Sequence, residues 1–148
     1  MIRVQREDFD IGQEIDALSG GDTGIGGICS FMGTVREMVG GEKISTMTLE
    51  HYPGMTEKAL AEIEAEANDR WLLSGSLIIH RYGELQPGDR IVLVVTASPH
   101  REAAFESCQF LMDWLKTKAP FWKLESSEAG ASWVDARESD DAATTRWK

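Results

Sequence analysis

Two sets of basic residues in this chain could meet an anion. The first is Ser98-Pro99-His100-Arg101, which follows an apolar segment. If Ser98 caps a helix and Pro99 takes its first position, His100 and Arg101 stand in the first turn. N–H groups there have no helical partners, and the dipole makes that end positive. Basic side chains are disfavoured at such an end, so two together point to a site for an anion such as phosphate. The other reading is a solvated first turn with an incidental arginine, and spacing does not choose between them. The second set is Lys116 and Lys123, on either side of Pro120. Lys116, near a helix C-terminus, is stabilised there by the dipole alone. Lys123 stands between Trp122 and Leu124 in Phe121-Trp122-Lys123-Leu124-Glu125. A lysine partly buried among apolar side chains loses proton affinity and can serve as a base or nucleophile. Glu125, on the same strand face, could instead hold it charged, and a purely structural lysine is the remaining reading.

Gly33-Thr34-Val35-Arg36 closes a strand. Arg36 could offer a bidentate fork to phosphate or carboxylate, or simply be solvated. His51 and His80 read as satisfied strand histidines, and with His100 they make no metal-ligand pattern. Cys29 and Cys108 form no CxxC or other ligand spacing. Both lie in apolar segments, where free cysteines are ordinary core residues. No metal is expected.

The 148 residues suit one domain, 1–148, with enough chain for a hydrophobic core. A net charge of −10 disfavours nucleic acid as a partner, yet leaves room for a local basic pocket. The first ten residues hold no apolar stretch of a signal peptide. No run reaches the roughly 18 apolar residues of a membrane helix. A cytoplasmic protein with reduced cysteines is the expectation.

The elements that must position these residues follow from periodicity. Strands are expected over 2–5, 28–36, 44–52, 76–82, 90–98, 121–125 and 132–136. Gly20, Gly21, Gly24, Gly26 and Gly27 read as a flexible approach to the second strand, and Gly33 as a bulge or close-approach point. Residues 37–43 read as a hairpin loop, and Gln86-Pro87-Gly88-Asp89 as a turn. The 90–98 run is almost wholly apolar, as a doubly covered central strand would be. Helices are expected over 10–18, about 54–71 and 99–118. Met55, Ala59, Ile63, Ala67 and Trp71, widened by Leu60, give the second its stripe. Phe105, Cys108, Met112 and Leu115 give the third its buried side, and Pro120 stops it. Phe121, Lys123 and Glu125 share one strand face, opposite Trp122 and Leu124. Hairpins with two long helices make an α+β fold.

Leu49–Ile63, His80–Asp89, Ser98–Glu106, Leu115–Glu125 and Ala136-Arg137-Glu138-Ser139 together resemble the large, catalytic subunit of molybdopterin synthase. The likeness runs from about Phe31 to Trp147, and HYPGMTEKAL and KAPFWK are its most specific segments. It implies a hammerhead-like α+β domain that forms a homodimer. Each copy would bind one small ubiquitin-like subunit, making a heterotetramer. That partner ends in Gly-Gly with a C-terminal thiocarboxylate, the sulfur donor. The implied substrate is cyclic pyranopterin monophosphate, which receives two sulfurs to become molybdopterin in molybdenum cofactor biosynthesis.

The resemblance places the substrate site on Thr34, Val35, Arg36, His100, Arg101, Lys116, Lys123, Leu124 and Glu125. Arg137 would be contributed by the other protomer, and Phe31 and Met112 would line the pocket. Arg36, His100 and Arg101 would hold the anionic groups. Lys116 would move protons or supply charge, and Lys123 would orient substrate and stabilise developing negative charge. No cofactor is implied, since sulfur arrives on the partner. Two rivals stand beside this: a sulfurtransferase with a persulfide on Cys29 or Cys108, and a non-catalytic module that binds a ubiquitin-like tail.

Overall fold

Residues 91–98 are buried without a break, because the strand that carries them is covered on both faces. The computed structural model describes residues 1–127, 130–134 and 143–147. Its strands are β1 (Ile2–Gln5), β2 (Gly27–Thr34), β3 (Met38–Val39), β4 (Glu42–His51), β5 (Gly75–Arg81), β6 (Gly83–Leu85), β7 (Arg90–Ser98), β8 (Phe121–Ser127) and β9 (Gly130–Val134). Its helices are α1 (Ile11–Ser19), α2 (Met55–Arg70) and α3 (Arg101–Thr117). The fold is α+β, as expected.

The first sheet has the order β1-β5-β7-β2. β1 runs parallel to β5, and the other pairs are antiparallel. One face packs Leu77, Ile79, Leu93 and Val95 against Phe9 and α1. The opposite face puts Ile78, Val92 and Val94 into a larger core with Leu60, Phe110, Leu111 and Leu115 from α2 and α3. The second sheet runs β3-β4-β8-β9, with β6 also on β4. Its Met47, Leu49 and Leu85 join that larger core. The chain between His80 and Leu85 therefore passes from one sheet to the other.

The start of α3 differs from expectation. Ser98 is the last residue of β7, and its hydroxyl donates to the Leu72 carbonyl at 2.8 Å. His100 occupies the N-cap without a side-chain cap bond, and the helix opens at Arg101. Gly26 and Gly27 are a close approach rather than a loose one. A Cβ on Gly26 would lie 2.1 Å from the Pro99 carbonyl oxygen, and one on Gly27 would lie 3.3 Å from Arg101 Cα. Gly26 N–H also donates to the Ser98 carbonyl at 2.9 Å.

Phe105 is 63% exposed, whereas Cys108, Met112 and Leu115 are buried. The buried side of α3 instead includes Ala104, Ser107 and Phe110. In α2, Met55 is exposed and the buried positions are Thr56, Leu60, Ile63 and Ala67. Residues 37–43 contain the short β3 hairpin strand rather than loop alone, and β6 precedes the 86–89 turn. The expected strand over 132–136 lies earlier, at Gly130–Val134. Gly33 has both expected features. The β2–β7 register shifts between Gly33 and Thr34, and a Cβ there would meet Val92 at 2.9 Å.

Candidate active site

Strand alternation decides which side chains of β8 face the core. Phe121 pairs with His51, Lys123 with Leu49 and Glu125 with Met47. Side chains directly opposite each other in a ladder share a face. Leu49 and Met47 are buried, so Lys123 and Glu125 point inward with Phe121. Leu124 pairs with Thr48 and with Trp133 and stands on the outer face, where Trp122 and Trp133 are exposed. The start of β8 is held by Thr56, whose hydroxyl donates to the Pro120 carbonyl at 3.1 Å and accepts from the Tyr52 N–H at 2.9 Å.

Against the inward face of β8 lies His80, near the end of β5. Its ring stacks on Phe121 with centroids 3.7 Å apart and planes 16° from parallel. Nδ1 is 2.8 Å from the Arg81 carbonyl oxygen. Burial, the largest cause, lowers its pKa from 6.5 to about 3; the Arg81 bond opposes this, and the charges of Lys123, Lys116 and His51 reinforce it. Those three side chains are thus His80's electrostatic neighbours. His51 leans on Tyr82, with ring centroids 4.2 Å apart, and its Nε2 is 3.9 Å from a Glu57 carboxylate oxygen. Two lysines and two histidines therefore gather where β4, β5, β8 and the end of α3 meet. Sequence reasoning read His80 as a satisfied strand histidine, which its place in β5 and its Nδ1 bond agree with, and gave it no part in the site. The signal was there: alternation along β5 puts this polar ring on the same face as buried Ile78, and a buried polar group calls for a reason.

The Lys116 end of α3 is also the Arg36 end of β2. β7 runs from Arg90 to Ser98, and α3 folds back over the sheet, leaving Lys116, exposed, in its last turn. Thr34 pairs with Arg90, at that same end. Val35 follows with its N–H on the Asp89 carbonyl at 2.9 Å and its carbonyl accepting from Gly88 N–H at 2.8 Å. Its side chain is only 2% exposed and sits in the core. Val35 thus anchors the strand exit, and the exposed Thr34 and Arg36 flank it. Phe31, 44% exposed, lies earlier on β2. Met112 is buried one turn before Lys116.

His100 and Arg101 are elsewhere. Gly27 pairs with Ser98 at the far end of the same ladder. The eight residues of β2 span about 24 Å at some 3.4 Å per residue. The expectation that Arg36, His100 and Arg101 add charge in one place is therefore wrong within one chain. An antiparallel ladder puts the two ends of β2 beside opposite ends of β7. Both His100 and Arg101 are exposed beside the first N–H groups of α3. Arg137 lies outside the described residues.

Cys108 is poorly placed to act as a nucleophile. Cys108 is buried, and its Sγ lies 4.0 Å from the Val94 carbonyl oxygen. Burial pushes its thiol pKa up, and the neighbouring Cys29 pushes it further. A persulfide carrier needs the opposite shift. Among the described residues, no group of three or more His, Cys, Asp or Glu side chains is placed to hold a metal ion. No helix among them is long and apolar enough to cross a membrane.

Comparison with known proteins gives the same direction. The chain is 57% identical to the molybdopterin synthase catalytic subunit of Ralstonia nicotianae, over 99% of this chain and 83% of that protein. It is 54% identical to the molybdopterin synthase catalytic subunit of Pseudomonas aeruginosa, over 99% and 98%. Its fold is similar to the solved molybdopterin biosynthesis MoaE protein from Burkholderia ambifaria. The TM-score is 0.85 at 51% identity, covering 99% of this chain and 97% of that one. The family model described as MoaE protein matches residues 4–118, and the chain belongs to that family.

Proposed function

We propose that this chain is the catalytic subunit of a cytoplasmic molybdopterin synthase, and that Lys116 and Lys123 carry its chemistry. The observation that carries the proposal is the convergence of both lysines on His80, at the end of α3 and on the inward face of β8. A small ubiquitin-like partner would deliver sulfur on its C-terminal Gly-Gly thiocarboxylate. Cyclic pyranopterin monophosphate would accept two sulfurs and become molybdopterin. Lys116 moves protons or supplies charge as sulfur is transferred. Lys123, with Glu125 beside it, orients the pterin and stabilises developing negative charge. Thr34 and Arg36 border this end, and Phe31 and Met112 shape it. The chain itself needs neither a cofactor nor a cysteine nucleophile.

The distance between Arg36 and Arg101 bears on assembly. Among the described residues β2 is an edge strand of the first sheet, with Ile28, Phe31 and Met32 exposed. An unpaired apolar edge is a template for a second copy. Two-fold antiparallel pairing of β2 with β2 would lay the Gly27 end of one copy beside the Thr34 end of the other. The partner's His100 and Arg101 would then stand near Arg36, Lys116 and Lys123, and the phosphate would bind across the dimer. With one small subunit on each copy, the assembly is a heterotetramer.

The test is reconstitution. The purified chain is mixed with a thiocarboxylated small subunit and the pterin precursor. Molybdopterin should form, and it should be lost in Lys116→Ala and Lys123→Ala but kept in Cys29→Ser/Cys108→Ser. Binding of the small subunit without any binding of the pterin would favour a non-catalytic module instead.

A further inference from the structure

Among the buried polar groups of the described residues, His80 is one that the proposed chemistry leaves unused while both lysines act on it electrostatically. We propose that His80 is a positioning residue for the Lys116–Lys123 pair: its clamped ring presents an unprotonated Nε2 whose single lone pair accepts a hydrogen bond from one ammonium group of the pair. This rests on the reading of those lysines as the reacting pair.

Three observations lead there. The ring is immobilised by its parallel stack on Phe121 and by burial, at 8% exposure. Its tautomer is fixed, because the Arg81 carbonyl 2.8 Å away can only accept, so Nδ1 carries the proton. The ring is neutral near pH 7, since burial and nearby positive charge hold its pKa near 3. The other nitrogen, Nε2, therefore carries a lone pair. The titratable groups acting on this ring from other elements are Lys123 on β8, Lys116 on α3 and His51 on β4. Glu57 stands against His51, and Glu125 lies one inward position beyond Lys123 on β8. A neutral acceptor facing this pair orients an ammonium group without taking its proton. An apolar side chain would fill the space beside Ile78 and Val92 at less desolvation cost. A histidine there is explained by what its second nitrogen holds.

The experiment compares two variants in the reconstituted assembly. His80→Phe keeps an aromatic ring to stack on Phe121 but has no acceptor. His80→Gln loses the stack but offers an amide oxygen at about the reach of Nε2. The proposal expects His80→Phe to lose kcat by about 10- to 150-fold, the worth of one hydrogen bond to a charged group. KM for the pterin should change little, and His80→Gln should recover much of the loss. A packing role expects the reverse order, with His80→Phe active and His80→Gln impaired; that order overturns the proposal.

A second measurement needs no variant of His80 to fold. Ring-nitrogen chemical shifts of the isotope-labelled full chain should show Nδ1 protonated and Nε2 bare at neutral pH. The Nε2 signal should move in Lys116→Ala or Lys123→Ala and stay in place in Lys118→Ala. A protonated Nε2, or a signal indifferent to both lysines, overturns the inference even when the lysine variants are inactive. Full turnover in both lysine variants instead overturns the reading beneath it, and the catalytic role of His80 falls with it.

Discussion

The imidazole of His80 and the ring of Phe121 lie nearly parallel, 3.7 Å apart, and they belong to different sheets. His80 is fixed by β5 in the first sheet, and Phe121 opens β8 in the second. Such an aromatic pair contributes about 0.5–1.5 kcal/mol beyond its buried area. Its larger consequence is positional. Lys123 is two residues from Phe121 on the same face, so the contact that joins the sheets also sets where this ammonium stands relative to Lys116.

Burial of His80 gives the protein a defined acid sensitivity. The unfolded chain takes up its proton near the ordinary value of 6.5, but the folded chain only near 3. Between those values the unfolded state binds more protons, so stability falls as pH drops through the window. Above the window the ring is neutral in both states and contributes no pH dependence. The slope from this one group is at most about 1.4 kcal/mol per pH unit. The stability of wild type relative to His80→Phe, read from urea midpoints above and within the window, should fall as the pH drops. An equal decline in both proteins would show that other groups carry the acid response.

Much of this fold was legible because alternation and apolar runs report burial directly. The 90–98 run announced a central strand, and alternation in Phe121–Glu125 put Lys123 on one face with Phe121 and Glu125, while the pairing with Leu49 and Met47 shows that face to be the inward one. Phe105 was misread because helical spacing locates a face but not how far the neighbouring strand reaches over it. The start of α3 was misread because Ser98 has a better partner, the Leu72 carbonyl, distant in sequence. The site was half legible for the same reason. Residue types picked out Arg36, Arg101, Lys116 and Lys123, but only the β2–β7 register shows that Arg36 and Arg101 stand at opposite ends of a strand. The role of His80 depends on the approach of two sheets, which no local pattern encodes.

Lys116 is exposed in the last turn of α3, so its removal should not disturb packing. Lys116→Ala should fold, bind the small subunit normally and lose product formation by about 10²–10⁴-fold, the usual loss for an acid–base group. Single-turnover assays with preformed thiocarboxylate isolate this step. Turnover near the wild-type rate would remove Lys116 from the chemistry.

Arg101 opens α3, whose N-cap residue His100 makes no side-chain cap bond, so the first N–H groups and the guanidinium are available to one anion. Arg101→Ala should weaken pterin binding by roughly 10- to 150-fold, the worth of one hydrogen bond to a charged group. Affinity for the small subunit should change little. Titration with the phosphorylated pterin measures the first, and titration with the small subunit the second. An unchanged pterin dissociation constant would mean that phosphate binds elsewhere.

Whether Arg36 and Arg101 serve the same site in one chain or across two can be decided by complementation. Arg36→Ala and Arg101→Ala homodimers each lack one arginine in both sites and should be nearly inactive at pterin concentrations well below saturation of the variants. Co-expression of the two chains should place half of the dimers in mixed form. If the site is shared across the interface, a mixed dimer has one site that lacks both arginines and one that lacks neither. Activity should then return to about a quarter of the wild-type level for random pairing of a two-fold dimer. If each chain supplied its own Arg36 and Arg101, every site in the mixture would lack one of them, and nothing would return. The roughly 24 Å length of β2 makes the shared site the expected outcome. A charged substitution on the exposed edge, such as Met32→Glu, supplies the control: introduced into both chains, it should abolish the recovery together with the dimer seen by light scattering. Failure of the mixed dimers to recover, with dimers intact, would place the two arginines in separate functions.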